Sequence, residues 1–359
     1  MKALVYYGIG DIRFEPAWAE PRPLRPGEVR VTTAWCGICG TDLEDYLHGA
    51  IIPREKPHPV SGRMAPLVLG HELTGRVAEL GPGVTQLHLG QRVAVEPVRV
   101  CGVCYWCLRR EFSACENFVT IGQMDDGGMA DAFNIPAENC IPIPEQLSDE
   151  LAALAEPLAV MLHAVGKGGV RLGSRVTVVG AGPIGLCGLA AARAAGAEQV
   201  IAVTRGGRRA EVAAQVGATH VLDSTDADWR AQHERLTAGR GSDVVIDCGG
   251  SPAAMQLAIS LTRRRGRCVI NSVVNRDWPV PALDVLLNEK EIVGSVAHAY
   301  DREFAWAVNY LSTGQVNLAP MITGRVPLAE AVDRGFQALL RRREDEVKIL
   351  VTPDDRRLA

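Results

Sequence analysis

Two clusters of cysteine, histidine and carboxylate carry most of the chemistry legible in this 359-residue chain. The denser one is Cys101-x-x-Cys104-x-x-Cys107 followed by Cys115. Four thiolates at that spacing close a tetrahedral structural zinc site within one short loop. Closely spaced cysteines also hold iron–sulfur clusters, but Arg109, Arg110 and Glu111 make this a solvated loop rather than a protected cluster pocket, so zinc is the expectation. The second cluster is spread along the chain as Cys36-Gly-Ile-Cys39-Gly-Thr41-Asp42, Gly70-His71-Glu72 and Glu156-Pro157. Thiolate, imidazole and carboxylate together suit an open catalytic zinc site, where three protein ligands leave a fourth position for water or substrate. Taken alone, Cys36-x-x-Cys39 reads as readily as a redox pair or two core cysteines, and His71 as a loop histidine bonded locally.

A third cluster is made of glycine. The run Val-Thr-Val-Val from Val176 passes into Gly180-Ala-Gly182-Pro183-Ile184-Gly185. The first glycine of such a loop permits the strand-to-helix turn, the second lets backbone amides approach a pyrophosphate, and the third lets helix pack on strand. A strand before, an Ala-rich helix after with Pro183 in its first turn, and a second β-branched run at Val200 to Thr204 supply the context of a dinucleotide site. At the end of that second run, Thr204-Arg205-Gly-Gly-Arg208-Arg209 offers no acid where an NAD site holds the adenosine ribose. A carboxylate there would repel a 2′-phosphate by ~4 kcal/mol per charge pair at ~4 Å. Thr204 leaves room for the phosphate, Arg205 is its best clamp, and Arg209 or Arg208 assists, so NADP is expected over NAD.

These residues need two kinds of scaffold. Up to about residue 160, short apolar runs (Lys2 to Tyr6, Glu28 to Ala34, Gly75 to Leu80, Arg92 to Val95) are broken by Pro and Gly and predict an irregular, all-β half. From about Gly173, strand runs beginning at Arg175, Val200, His220, Val244, Cys268 and Ile292 alternate with helical spacers, the pattern of a doubly wound parallel sheet. Helical spacing resumes at Glu303 to Leu311 and Ala329 to Leu340, before a last strand at Val347 to Val351. Trp306 and Tyr310 read as one helix face on the core, and Arg263 to Arg265 and Arg341 to Arg343 as solvated helix ends. An apolar content of 47% supports sizeable cores, and a net charge of −4 gives no reason to expect nucleic acid. With neither signal peptide nor membrane span in the sequence, and cysteines grouped for metal rather than disulfides, a cytoplasmic protein is expected.

In their order, Gly37-Ile-Cys39-Gly-Thr-Asp42, Gly70-His71-Glu72, the four-cysteine lobe, Glu156-Pro157-Leu-Ala and Gly180-Ala-Gly182-Pro-Ile-Gly185 resemble the zinc-dependent medium-chain alcohol and polyol dehydrogenases over nearly the whole chain. The segment Lys56-Pro-His58-Pro59 to Glu72 is similar to that of the 2,3-butanediol dehydrogenase branch. The resemblance implies a chaperonin-10-like catalytic domain (1–160 and 297–359) and an inserted Rossmann cofactor domain (161–296), with the active site in the cleft between them. It implies two zinc ions per chain, with Cys39, His71 and Glu156 on the catalytic zinc and Glu72 an alternate ligand. Cys36 is left to packing, and Asp42 stands behind His71 to fix its tautomer. Zinc acts as a Lewis acid on the substrate hydroxyl so that hydride can leave to the nicotinamide, and Thr41 is the first proton acceptor. Where many relatives carry a histidine to pass the proton on, this chain has Glu44, and Glu44, His48 or water serves as the exit. A secondary alcohol or vicinal diol, or its ketone, is the implied substrate, and a homodimer or homotetramer paired through the strand at Ile292 to Val296 the implied assembly.

Overall fold

The computed structural model describes residues 1–273, 277–300, 302–342 and 345–358. Two compact units form: Met1–Glu156 with Ala299–Ser312 and Ile322–Ala359, and Pro157–His298 with Thr313–Met321. The first begins with β1 (Ala3–Gly8), β2 (Asp11–Glu15), β3 (Glu28–Gly37), α1 (Gly40–His48), β4 (Leu67–Val68), β5 (Glu72–Leu80) and β6 (Arg92–Val95). It continues with β7 (Val98–Arg99), β8 (Val119–Thr120), β9 (Ala132–Pro136), β10 (Cys140–Pro142) and α2 (Asp149–Ala152), and the division falls within α3 (Ala155–Gly168). The second unit alternates β11 (Arg175–Val179), α4 (Pro183–Ala194), β12 (Gln199–Thr204), α5 (Gly207–Val216), β13 (His220–Asp223) and α6 (Trp229–Leu236). It goes on through β14 (Ser242–Asp247), α7 (Pro252–Leu261), β15 (Thr262–Ile270), α8 (Ala282–Leu287) and β16 (Glu291–Gly294). The chain then supplies the first unit with α9 (Glu303–Ser312), β17 (Ile322–Pro327), α10 (Gln337–Arg341) and β18 (Lys348–Thr352).

In the first unit the main sheet runs β10-β6-β5-β3-β18-β17, with β9 also on β3. Leu4, Val31, Leu73, Val95, Phe336 and Ile349 are buried in its core. Register brings Gly37 opposite Glu72 on one side and Leu350 on the other, so three distant stretches meet at the end of β3. In the second unit six strands in the order β13-β12-β11-β14-β15-β16 all pair in parallel. Strand order reverses beside β11, which is where a doubly wound sheet opens a crevice at its carboxyl ends. The edge strand β16 pairs only with β15 among the described residues, and Val296 just beyond it is 57% exposed.

Two expectations need correction. Arg263 to Arg265 are not a helix end: α7 stops at Leu261 and the chain turns straight into β15, where Arg263 Nε reaches Asp243 Oδ1 at 2.6 Å. Pairing with β14 overrides the local charge pattern. Trp306 is half exposed with Arg302 over its ring, while Phe304, Ala307, Val308 and Leu311 form the buried face of α9. The helical stretch expected over Ala329 to Leu340 forms, as a 3-10 turn at Leu328–Glu330, a π-helical stretch at Ala331–Phe336 and then α10. Arg341 ends α10, and Arg343 lies outside the described residues. Among the described residues no helix is long and apolar enough to cross a membrane.

A buried polar triad locks the base of the second sheet. Thr177 Oγ1 lies 2.7 Å from Ser242 Oγ and 3.0 Å from His233 Nε2 on α6. Burial lowers the His233 pKa from 6.5 to about 4, helped by the charge of Arg230. The unfolded chain therefore takes up this proton first as pH falls. Stability is complete above pH 6.5 and is lost between 6.5 and 4, by roughly 2–3 kcal/mol. Urea unfolding at pH 7 and 4.5 should show a larger acid loss in the parent than in His233→Gln; equal losses would remove His233 from the account.

Candidate active site

The site in the first unit starts at the end of β3. Cys39 precedes α1 in extended conformation, and its N–H donates to Asp42 Oδ2 at 2.9 Å, so the thiol and the carboxylate are fixed by one helix start. His71 enters from the turn before β5. Gly70 makes that turn possible: its φ is +102°, and a Cβ there would stand 2.7 Å from Cys36 Sγ and 2.8 Å from the Met129 amide nitrogen. His71 Nδ1 lies 3.6 Å from Asp42 Oδ1, and Thr41 Oγ1 is 3.4 Å from His71 Nε2. With Nδ1 turned to the carboxylate, Nε2 is the nitrogen left to ligate.

Ligand atoms of Cys39, His71 and Glu72 all lie within 4.8 Å of one another, and all three residues are buried. A soft thiolate, an imidazole and a carboxylate so grouped fit zinc. Glu156 is buried as well and acts on His71 through its charge. Burial disfavours the charged form of His71, but Asp42 and then Cys39 and Glu156 outweigh it and hold its pKa well above the usual value. Burial likewise pushes Asp42 up to about 6. Cys36, opposite Leu73 and Val351, is fully buried with its thiol pKa raised by burial, as a packing residue should be. Glu44 and His48 are more open, with His48 Nε2 4.0 Å from Glu44 Oε2.

Two residues here escaped the sequence reading. Lys348 is buried and donates to both Glu72 carboxylate oxygens at 2.7 Å and to the Ile38 carbonyl at 3.0 Å. A lysine inside the apolar run Val347 to Val351 was the signal. Gln123 Nε2 donates to Thr41 Oγ1 at 2.8 Å, and nothing in the local sequence marked it.

The four-cysteine loop closes on itself. Sγ atoms of Cys101, Cys104, Cys107 and Cys115 lie within 4.8 Å of one another, with Cys101 and Cys115 3.6 Å apart. The Cys107 and Glu116 N–H groups hold the Cys104 thiol pKa below its usual value. Burial raises the Cys107 and Cys115 thiols instead, and four sulfurs in a cage of this size fit a tetrahedral zinc, whose charge would favour the thiolates.

In the second unit, Gly182 caps α4 and Pro183 and Ile184 begin it, while a side chain at Gly185 would collide with the Gly180 carbonyl. Thr204 is buried at the end of β12 and Arg205 is exposed just after it. Arg209 reaches back over the loop, one guanidinium nitrogen 4.0 Å from where a Cβ on Gly182 would be. Arg208 pairs with Glu211 on the helix surface. An acid does stand nearby: Asp223, opposite Thr204 in register, turns its carboxylate against Gly206 while Thr225 caps its other oxygen.

Residues 25–145 match the alcohol dehydrogenase GroES-like domain, and residues 183–313 the zinc-binding dehydrogenase domain. An (R,R)-butanediol dehydrogenase of Neisseria gonorrhoeae is 33% identical over 99% of this chain and 100% of its own. The chain belongs to the zinc-binding medium-chain alcohol dehydrogenases, close to the butanediol dehydrogenases. Among solved structures, 2R,3R-butanediol dehydrogenase from Bacillus subtilis superimposes with a TM-score of 0.90 at 33% identity, covering 98% of this chain and 99% of that one. A zinc-binding dehydrogenase from Sinorhizobium meliloti 1021 bound to NADP does so at 0.86 and 32%, with the same coverage. This dehydrogenase is therefore a zinc- and nicotinamide-dependent oxidoreductase acting on the CH–OH group of small alcohols or polyols, built from a GroES-like and a Rossmann domain.

Its buried ion pair gives a test independent of turnover. Lys348→Met leaves Glu72 charged in an apolar setting and should cost roughly 3–5 kcal/mol in urea unfolding. Adding Glu72→Gln should recover much of that loss. A double variant as unstable as Lys348→Met would show that Lys348 acts by packing alone.

Proposed function

We propose that this dehydrogenase interconverts a secondary alcohol or vicinal diol and its ketone with NADP(H), using a catalytic zinc on Cys39, His71 and Glu156 and a structural zinc on Cys101, Cys104, Cys107 and Cys115. The diol class rests on the butanediol dehydrogenases it resembles. Glu72 is held off as an alternate ligand because Lys348 already occupies both of its oxygens. When bound, zinc supplies a Lewis acid that brings the substrate hydroxyl pKa toward neutrality. Asp42 holds the His71 tautomer, and Thr41 takes the hydroxyl proton. Thr41, Glu44 and His48 lie at helical spacing along α1, which makes Glu44 and His48 the exit to solvent. Four of the cysteines are grouped as metal ligands would be, which supports a reducing, cytoplasmic setting. The edge strand β16, paired only with β15 among the described residues, and the exposed Leu283, Leu286 and Leu287 of α8 support pairing of two copies there.

Zinc analysis separates the two metal sites. The parent should carry two ions per chain. His71→Ala should lose one ion and turnover while melting near the parent temperature; Cys104→Ser should lose the other and melt lower. A parent fully active with one ion would sink the two-site assignment.

The observation that carries the NADP assignment is the end of β12, where buried Thr204 is followed by Arg205 and Arg209 lies over the glycine loop. A competing NAD reading rests on Asp223, whose carboxylate lies against Gly206. The ratio of kcat/KM for NADP over NAD decides between them. The parent should favour NADP, and Thr204→Glu with Arg205→Ala should shift the ratio toward NAD by at least about tenfold, or about 1.4 kcal/mol. A parent that favours NAD would assign the role to Asp223.

A further inference from the structure

We propose that Gln123 is a positioning residue for the reaction, fixing the Thr41 hydroxyl so that its hydrogen and one lone pair point to the reacting oxygen and the proton exit. The inference rests on the role given to Thr41 under the proposed function. A threonine hydroxyl has one hydrogen and two lone pairs. At Thr41 one lone pair is filled by Gln123 Nε2 at 2.8 Å, and the other close polar neighbour is His71 Nε2 at 3.4 Å. His71 Nδ1 lies on the Asp42 side, and zinc held on Nε2, as proposed above, would leave that nitrogen neither a hydrogen nor a lone pair for Thr41. The Thr41 hydrogen then has neither Gln123 nor His71 as acceptor, so the hydrogen and the remaining lone pair serve the reacting oxygen and the exit: in oxidation the lone pair takes the alcohol proton while the hydrogen passes on, and in reduction the hydrogen is given to the oxygen. An amide does not relay protons at neutral pH, so Gln123 orients the hydroxyl without joining the transfer.

The amide is held for this task. Gln123 is buried, and its turn is tied by its own N–H and that of Met124 to the Thr120 carbonyl and by the Gly122 N–H to Asp125. Gly122 packs directly on Gly70, where a Cβ would meet the Gly70 nitrogen at 2.6 Å. Gln123 and His71 therefore each follow one of two glycines in backbone contact, which sets the amide and the imidazole on either side of Thr41.

The test compares Gln123→Met, Gln123→Glu, Thr41→Val and the double variant Thr41→Val/Gln123→Met, with zinc content and melting temperature checked for each. Gln123→Met keeps the volume and removes the donor; kcat/KM should fall about tenfold, mostly in kcat, with zinc content unchanged. If Gln123 acts through Thr41, the double variant is no slower than Thr41→Val alone. Gln123→Glu reads the polarity directly: as the new carboxyl ionises it becomes acceptor only and draws the Thr41 hydrogen to itself, so activity should fall with rising pH through a step the parent lacks. This second variant keeps the test informative if the methionine variant does not fold. Parent-like kcat/KM and pH profile in the glutamate variant, or additive losses in the double variant, would overturn the positioning role while leaving Thr41 in place. Full turnover in Thr41→Val would overturn the Thr41 role and this inference with it.

Discussion

The ion pair between Glu72 and Lys348 is the constraint on which the first unit depends. Both side chains are almost fully buried, and the ammonium spends its hydrogens on two carboxylate oxygens and the Ile38 carbonyl. An acid so placed without its base would carry a penalty of several kcal/mol. The pair thereby ties β18 to the end of the β3–β5 ladder and to the Ile38 carbonyl, where the chain leaves the sheet. Cys39, Thr41 and Asp42 follow from that exit, and His71 from the turn on the other side. The same lysine keeps an acid beside the donor cluster from being an open ligand, so one interaction both closes the sheet and shapes the metal chemistry.

Features set by local spacing were legible in the sequence. The Cys101 to Cys115 cage is formed within one loop, and the glycine loop needs only the strand before it and the helix after it, so residue type and interval suffice. Most strands of the parallel sheet were legible for the same reason: a run buried on both faces is apolar throughout. What failed was set by distant partners. The charged run at Arg263 resembles a helix end until Asp243 from the neighbouring strand is placed beside it. Asp223 enters the region of Thr204 only through the register of two parallel strands. Gln123 meets Thr41 across 82 positions of chain, through a contact between two glycines that no pattern announces.

The two zinc-fitting groups differ in how they are built, and their chemistry follows. Four thiols in one loop could hold a metal by themselves and would need little from the rest of the fold. The Cys39 and His71 donors draw on a helix start and a turn, with Asp42 behind the imidazole and Glu72 on the next strand tied to Lys348. A site assembled from separate elements can leave a coordination position open, because no single loop closes around it.

Glu72 and Lys348 are separated by 276 positions, and the whole parallel sheet is encoded between them. At a ribosomal rate of ~5–20 residues per second, about 15–55 s pass between their emergence. During that interval β3 and β5 have been made but the strand whose lysine neutralises Glu72 has not, and every strand of the second unit emerges. The last strand made is thus the one that supplies the base for Glu72, so the ion pair beside the donor cluster can form only after the whole parallel sheet has been synthesised.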